Sequence, residues 1–378
     1  MSLWKAFMAR KDLVKAFRAA SIYKTIGSDE KKIYPKIHSV KVNDLLTEFV
    51  FTIPIGIDPK LLIKNYYVFQ QVFGERIKLD GEVKKFVLNV YPTSKEKTLN
   101  YNSVEIRKII KEFKLGIICG KERAGEYVAF DLLKQPHILI AGETGSGKST
   151  QLRSILTTMI LNNKPSKLQL YLGDCKKSEF HIFRKVEHVQ CVLSNGKEIA
   201  KMLRHIKKEL DERSDLTETF EVSHVDDLPA EHKRPYIVVC IDEFVMLRKD
   251  ETVMDILTEI VAIGRTLGVF AILSMQRPNA QVLDTTIRAN LTVSMGFKLR
   301  DKIESRIVNT PDAESIDVSG RFIMNSDKLY DLQAPYLELD EAKKLLNPFC
   351  ISKDAKEVNE KPPVSPQLTE KDVFNDVD

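Results

Sequence analysis

Residues 142–149 read GETGSGKS, and they follow directly on the apolar run HILIA of residues 137–141. Glycines at this spacing let the backbone take conformations that other residues avoid, so that successive N–H groups point inward at phosphate oxygens. A helix opening at Lys148 adds its dipole behind them. In such a loop Gly142, Glu143, Thr144, Gly145, Ser146, Gly147, Lys148, Ser149 and Thr150 enclose the phosphates of a nucleotide. Lys148 reaches the β- and γ-phosphates and Ser149 ligates Mg²⁺, which makes ATP and Mg²⁺ the implied ligands. A second group of side chains fits the same chemistry. The strand-like YIVVCIDEF ends in Asp242 and Glu243, of which Asp242 suits a metal through its water shell and Glu243 suits the orientation and deprotonation of an attacking water. Acids that only cap the following helix are the alternative. VFAILSM runs into Gln276, placed to sense the γ-phosphate or to position the water. Hydrolysis by coupled subunits also needs a guanidinium to meet the charge of the transition state. Arg265 in IGRTLG and Arg213 in ELDERS are the candidates, with a surface ion pair as the alternative role of either. His137 reads as a hydrogen-bonded core or strand-edge residue without a catalytic role.

Those groups can converge only at the carboxyl edge of one sheet. From about Phe113 to Phe349 the pattern supplies it: HILIA, a helix from Lys148, LQLYLGD, HVQCVL, a helix to about Arg213, YIVVCIDEF, another helix, VFAILSM and LTVSMGF. This alternation predicts an α/β fold, a parallel sheet with helices on both faces. Ahead of it KIHSVKV, EFVFTIPIGI and KKFVLNVYP alternate like strands around the helical DPKLLIKNYYVFQQVFG, which predicts a small α+β domain over 31–112. Residues 93–112 are lysine-rich and polar and read as a joint. Within residues 1–30, Leu3, Phe7, Val14 and Phe17 recur at helical spacing among basic side chains. This predicts a basic amphipathic helix that either docks its apolar stripe on the protein or meets anionic lipid or an acidic partner. The tail, 350–378, has more acids than lysines and carries Pro362, Pro363 and Pro366, and is expected to be disordered.

Composition sets outer bounds. Lysine and arginine number 58 against 53 acids, a net charge of +5, too mild to prove nucleic-acid binding. Cys119, Cys175, Cys191, Cys240 and Cys350 have no CxxC spacing, so neither a zinc site nor a disulfide framework is suggested and a cytoplasmic setting fits. The apolar runs are far shorter than the roughly 18 residues of a spanning helix.

These residues resemble the motor domain of the FtsK/SpoIIIE family, over about residues 113–325. GKERAGEYVAFDLLKQPHILIAGETGSGKST is similar to that family's approach to its phosphate loop, with Gly120, Lys121, Gly125, Asp131, Leu132, Pro136 and His137 in place. GDCKKSEF resembles its Asp-Pro-Lys element through Asp174 and Lys176, with Cys175 where the family has proline. VVCIDEF, GRTLGVFAILSMQRP and IRANLTVSMGFKLRDKIESRIV resemble the elements that follow. The resemblance implies a RecA-like P-loop NTPase core over 113–349, a homo-hexameric ring hydrolysing ATP at subunit interfaces, and DNA drawn through a central pore without strong sequence preference. It puts Arg265 ahead of Arg213 as the finger. The front domain looks similar to that of FtsK-like coupling proteins of Gram-positive conjugative elements, which implies a relaxase and membrane channel proteins as partners and a place at the inner face of the cell membrane.

The function expected is therefore an ATP-dependent DNA translocase, the coupling ATPase of conjugative or plasmid DNA transfer. The rivals are a protein-secretion motor of the type VII kind, a chromosome or plasmid partition translocase, and a nucleotide-switched adaptor. The last has no use for a water-activating Glu243.

Overall fold

The computed structural model describes residues 3–27, 30–43, 46–74, 76–91, 98–122, 125–279, 283 and 285–351. It divides into two compact units, one within Met1–Lys97 plus Lys121–Glu126, the other within Thr98–Gly120 plus Tyr127–Asp378. The expected acidic tail lies outside the described residues from 352 onward. Among the described residues no helix is long and apolar enough to cross a membrane.

The first unit holds α1 (Leu3–Ala19), a two-stranded ladder of β1 (Lys24–Ile26) and β2 (Lys31–Ile33), then β3 (Lys36–Val42), β4 (Thr47–Thr52), α2 (Lys60–Lys64), α3 (Tyr66–Phe73), β5 (Ile77–Asp80) and β6 (Lys85–Val90). The last four strands form an antiparallel sheet in the order β3-β4-β6-β5. Strand alternation turns Phe49 and Phe51 of β4 and Phe86 and Leu88 of β6 to one face, where all four are buried. Leu13, Ala16 and Phe17 of α1 join them in one core with Phe69 of α3. The Phe17 ring meets Phe51 edge-on at 5.0 Å. The basic helix expected for residues 1–30 is thus an integral part of the small unit, docked by one apolar stripe.

The second unit contains β7 (Leu99–Asn100), α4 (Ser103–Ile110), β8 (Gly116–Glu122), β9 (Tyr127–Asp131), β10 (Ile138–Ala141), α5 (Lys148–Asn162), β11 (Leu168–Asp174), β12 (Val189–Leu193), α6 (Gly196–Thr219), β13 (Tyr236–Asp242), α7 (Glu251–Leu267), β14 (Val269–Met275), α8 (Thr285–Asn290), β15 (Val293–Gly296), α9 (Lys302–Val308), β16 (Arg321–Asn325), β17 (Leu329–Gln333), β18 (Pro335–Tyr336) and α10 (Leu339–Leu346). Ten strands form one sheet, ordered β12-β11-β13-β14-β10-β15-β16-β17-β8-β9. The pairings from β12 to β15 are parallel, whereas β16 and β17 continue the sheet antiparallel. The strands alternate between two cores. Ile138 and Ile140 pack with Leu152, Ile155, Leu156 and Met159 of α5, while Leu139 and Ala141 pack with Met202 and Leu203 of α6 and Leu257 and Ile260 of α7. Helices therefore cover both faces, as the strand–helix alternation predicts, and strands shielded twice are apolar throughout.

The helices start and stop where local chemistry directs. Asn195 caps α6 through the amide of Lys197, and Asp250 caps α7 through that of Val253. Gly268 ends α7 at φ +69°, in the left-handed region, with its N–H turned back to the carbonyls of Gly264 and Arg265. The stretch expected to be a joint, 93–112, is only partly so. Asn102 caps α4 through the amides of Val104 and Glu105, and Ile106 and Ile110 share a small core with Tyr101 and Leu337 of the large unit. Polarity alone had suggested a linker, but every fourth position of that helix is apolar.

Candidate nucleotide site

The cleft is assembled at the carboxyl edge of β10, β13 and β14. β10 delivers the glycine loop, and α5 opens from it at Lys148 with Gly147 at φ +108°. A side chain could not replace that glycine, because a Cβ at Gly147 would lie 2.7 Å from the Gly320 Cα. The loop is braced from behind by a turn that sequence reading missed. The Gly320 amide donates to the Ser146 carbonyl at 2.8 Å, Ser319 Oγ donates to the Gly145 carbonyl at 3.0 Å, and Gln333 Nε2 holds Ser319 O at 3.1 Å. The first-turn amides of α5 have no intrahelical acceptor and no side-chain cap, which leaves a helix N-terminus suited to phosphate oxygens.

β14 stands between β10 and β13. Its Ser274 therefore reaches both neighbours. Lys148 Nζ donates to Asp242 Oδ1 at 2.6 Å and to Ser274 Oγ at 2.7 Å, and Ser274 Oγ also donates to Asp242 Oδ1. All three side chains are buried. A buried carboxylate and ammonium in one hydrogen-bonded cluster satisfy each other where either alone would be badly destabilising. Ser274 was legible only as a polar residue in an apolar strand.

Glu243, one residue beyond β13, has φ +57° and ψ +47°, a left-handed conformation unusual for a non-glycine residue. It directs the carboxylate toward its neighbours: Oε1 accepts from the Gln276 amide at 3.3 Å, and Oε2 pairs with Lys176 Nζ at 2.9 Å. Gln276 Oε1 in turn accepts from Thr144 Oγ1 at 3.4 Å, which joins the third strand end to the phosphate loop. Asp174, the other acid of the resemblance, accepts from the amides of Ser178, Glu179 and Phe180 and shapes the turn that presents Lys176. Burial pushes the Cys175 thiol up to about 12, with Asp242, Asp174 and Glu243 adding to it, so a neutral thiol fills the proline's place.

Lys148, Ser149, Asp242, Gln276 and Lys176 line one cavity of about 850 Å³ whose far wall includes Pro335 and Tyr336. Ser149 and Asp242 give this cavity a hydroxyl and a carboxylate, hard oxygen donors that suit Mg²⁺ completed by phosphate oxygens and water. Among the described residues no group of three or more His, Cys, Asp or Glu could hold a metal unaided. Neither of the two arginines lines this cavity. Arg213 is fully buried: its guanidinium pairs with Glu209 and donates to the carbonyls of Leu267 and Pro235 at 2.9 and 2.8 Å, so it ties α6 to the end of α7. Arg265, in the last turn of α7, is exposed. His137 is buried, with φ +62°, and its Nδ1 accepts from the Ala271 amide at 3.1 Å; it joins strand ends away from the phosphate loop.

The match to known proteins follows this geometry. The FtsK/SpoIIIE family model matches residues 110–231. The DNA translocase FtsK of Listeria monocytogenes is 28% identical over 287 residues, covering 69% of this chain and 38% of that protein. Its Helicobacter pylori namesake is 29% identical over 246 residues, covering 62% and 29%. The chain thus spans 38% and 29% of the lengths of these relatives. Among solved structures, the pCW3 conjugation coupling protein TcpA, in monomer form with ATPgS, is similar with a TM-score of 0.62 at 23% identity, over 89% of this chain and 98% of that one. EssC (ATPases 2 and 3) of Geobacillus thermodenitrificans is similar with a TM-score of 0.59 at 20% identity, over 68% and 52%. These structural likenesses establish a common fold. The family match takes in the phosphate loop and ends before Asp242 and Glu243: residues 110–231 are similar to the FtsK/SpoIIIE family domain.

Proposed function

We propose that the protein is an ATP-driven DNA translocase, acting as the coupling ATPase of conjugative or plasmid DNA transfer. The observation that carries the reading is the convergence of Lys148, Asp242, Glu243 and Gln276 on the phosphate loop. A nucleotide binder alone would have no need of the last two. The curated relatives named DNA translocase, at 28% and 29% identity, favour DNA over a polypeptide as the cargo.

In this reading Lys148 and the loop amides hold the phosphates, and Ser149 and Asp242 would hold Mg²⁺, which would supply charge neutralisation to the phosphates. Lys148 leaves Asp242 for the phosphates when nucleotide enters. Glu243 takes the proton of the attacking water, and Gln276 reports the γ-phosphate to it through their shared hydrogen bond. Arg265, exposed at the end of α7, serves the neighbouring subunit of a hexameric ring as the finger. DNA is bound through its phosphates without strong sequence preference. The cytoplasm is the setting: the described residues include all five cysteines, and no disulfide joins them. A relaxase and channel proteins at the membrane are the proposed partners.

Multiple-turnover phosphate release, measured with and without DNA, tests this. DNA is expected to stimulate it, and Glu243→Gln is expected to lower kcat by roughly 100-fold or more while ATP binding stays within a few-fold of wild type. Turnover indifferent to DNA would remove the translocase reading, and absent turnover in the wild type would restore the adaptor.

A further inference from the structure

The face of α1 that points away from the small unit's core has a composition its docking does not explain. Successive residues of a helix turn by about 100°, so Leu13, Ala16 and Phe17 share the buried side, and Trp4, Met8, Lys11 and Lys15 lie opposite, flanked by Phe7 and Arg18. Trp4, Phe7 and Met8 are 69%, 56% and 39% exposed. Lys11 Nζ lies over the Phe7 ring, 4.8 Å from its centroid. Along the helix, Lys5, Arg10, Lys11, Lys15 and Arg18 are opposed by a single acid, Asp12.

We infer that this outer face of α1 binds an anionic lipid surface, with Trp4, Phe7 and Met8 entering the headgroup region and Lys11, Lys15 and Arg18 meeting lipid phosphates. The composition of this face favours lipid over the other polyanion at hand. Nucleic-acid phosphates would engage the lysines but leave three large apolar side chains in water, whereas a membrane interface takes the two kinds together: tryptophan and methionine at the acyl boundary and a cationic stripe beside them. The core face stays docked through Phe17, so the helix lies along the membrane plane as part of the folded unit. The inference is independent of the ATPase reading, because no residue of the nucleotide cavity is involved.

Trp4 is the chain's one tryptophan, so it reports on its own environment. The 378-residue chain is titrated with vesicles of phosphatidylcholine alone and of phosphatidylcholine with phosphatidylglycerol, and tryptophan emission and co-sedimentation are read. Anionic vesicles are expected to shift the emission to the blue, to expose Trp4 to quenching by brominated lipid, and to sediment the protein, with neutral vesicles far weaker. Lys11→Gln with Lys15→Gln should weaken the binding on the order of 25-fold, about fivefold per lysine, and Phe7→Ser with Met8→Ser should weaken it while leaving ATP hydrolysis unchanged. The proposal is overturned if anionic vesicles produce neither shift nor sedimentation. An equal emission response to DNA overturns it in favour of nucleic acid, and emission that depends on protein concentration but not on vesicles overturns it in favour of contact with a second copy.

Discussion

His137 shows how far a residue's chemistry is set by its surroundings. Burial lowers its pKa from 6.5 to about 4, and with Nδ1 accepting from Ala271 the neutral ring carries its proton on Nε2. The unfolded chain binds a proton there below pH 6.5 and the folded protein does not, so the folded pKa is depressed. The stability this site contributes is complete above 6.5 and is lost as the pH falls toward 4, at up to about 1.4 kcal/mol per pH unit and on the order of 3 kcal/mol in all. Urea midpoints of wild type and His137→Asn at pH 7.5 and 5 check this: the wild type should lose more between the two. From sequence, His137 was legible as a hydrogen-bonded core or strand-edge residue. Its protonation was not, because the desolvating neighbour Phe270 comes from β14, far along the chain.

At the scale of elements, α6 and α7 separate two arginines that look alike in sequence. Arg213 sits in a run of charged residues, and nothing local says that its guanidinium ends against the terminal carbonyls of another helix. Arg213→Leu leaves the carbonyls of Leu267 and Pro235 without their donor and Glu209 without its partner. It should lower unfolding free energy by about 3–5 kcal/mol in denaturant titration. Arg265→Ala, on the exposed side of α7, should change stability by less than about 0.5 kcal/mol yet abolish turnover, and mixing it with Glu243→Gln protein should restore part of the activity. The phosphate loop and the acidic strand end were readable because each is a run of adjacent residues. Ser274, Ser319 and Gln333 were not, since they meet the loop through strand order and through the β16–β17 return, pairings that no local spacing encodes.

The whole molecule is only mildly basic, +5 over 378 residues, so the proposed DNA binding would rest on a local concentration of lysines and arginines and should be steeply salt-dependent. Raising salt from 50 to 200 mM is expected to raise the DNA concentration that half-stimulates hydrolysis by orders of magnitude for six or more phosphate contacts, roughly 10³. The KM for ATP in the absence of DNA, set inside a buried cluster, should move little. Parallel titrations of DNA and ATP at the two salt concentrations separate these responses.

The left-handed backbone at Glu243 carries its own consequence. A side chain there strains the chain by about 1–3 kcal/mol, and asparagine or glycine, which accept that conformation, relieve part of it. Mutations that remove the proposed water-activating carboxylate can therefore leave the protein as abundant in the cell as the original, or more so. Abundance and solubility would score such a lesion as healthy.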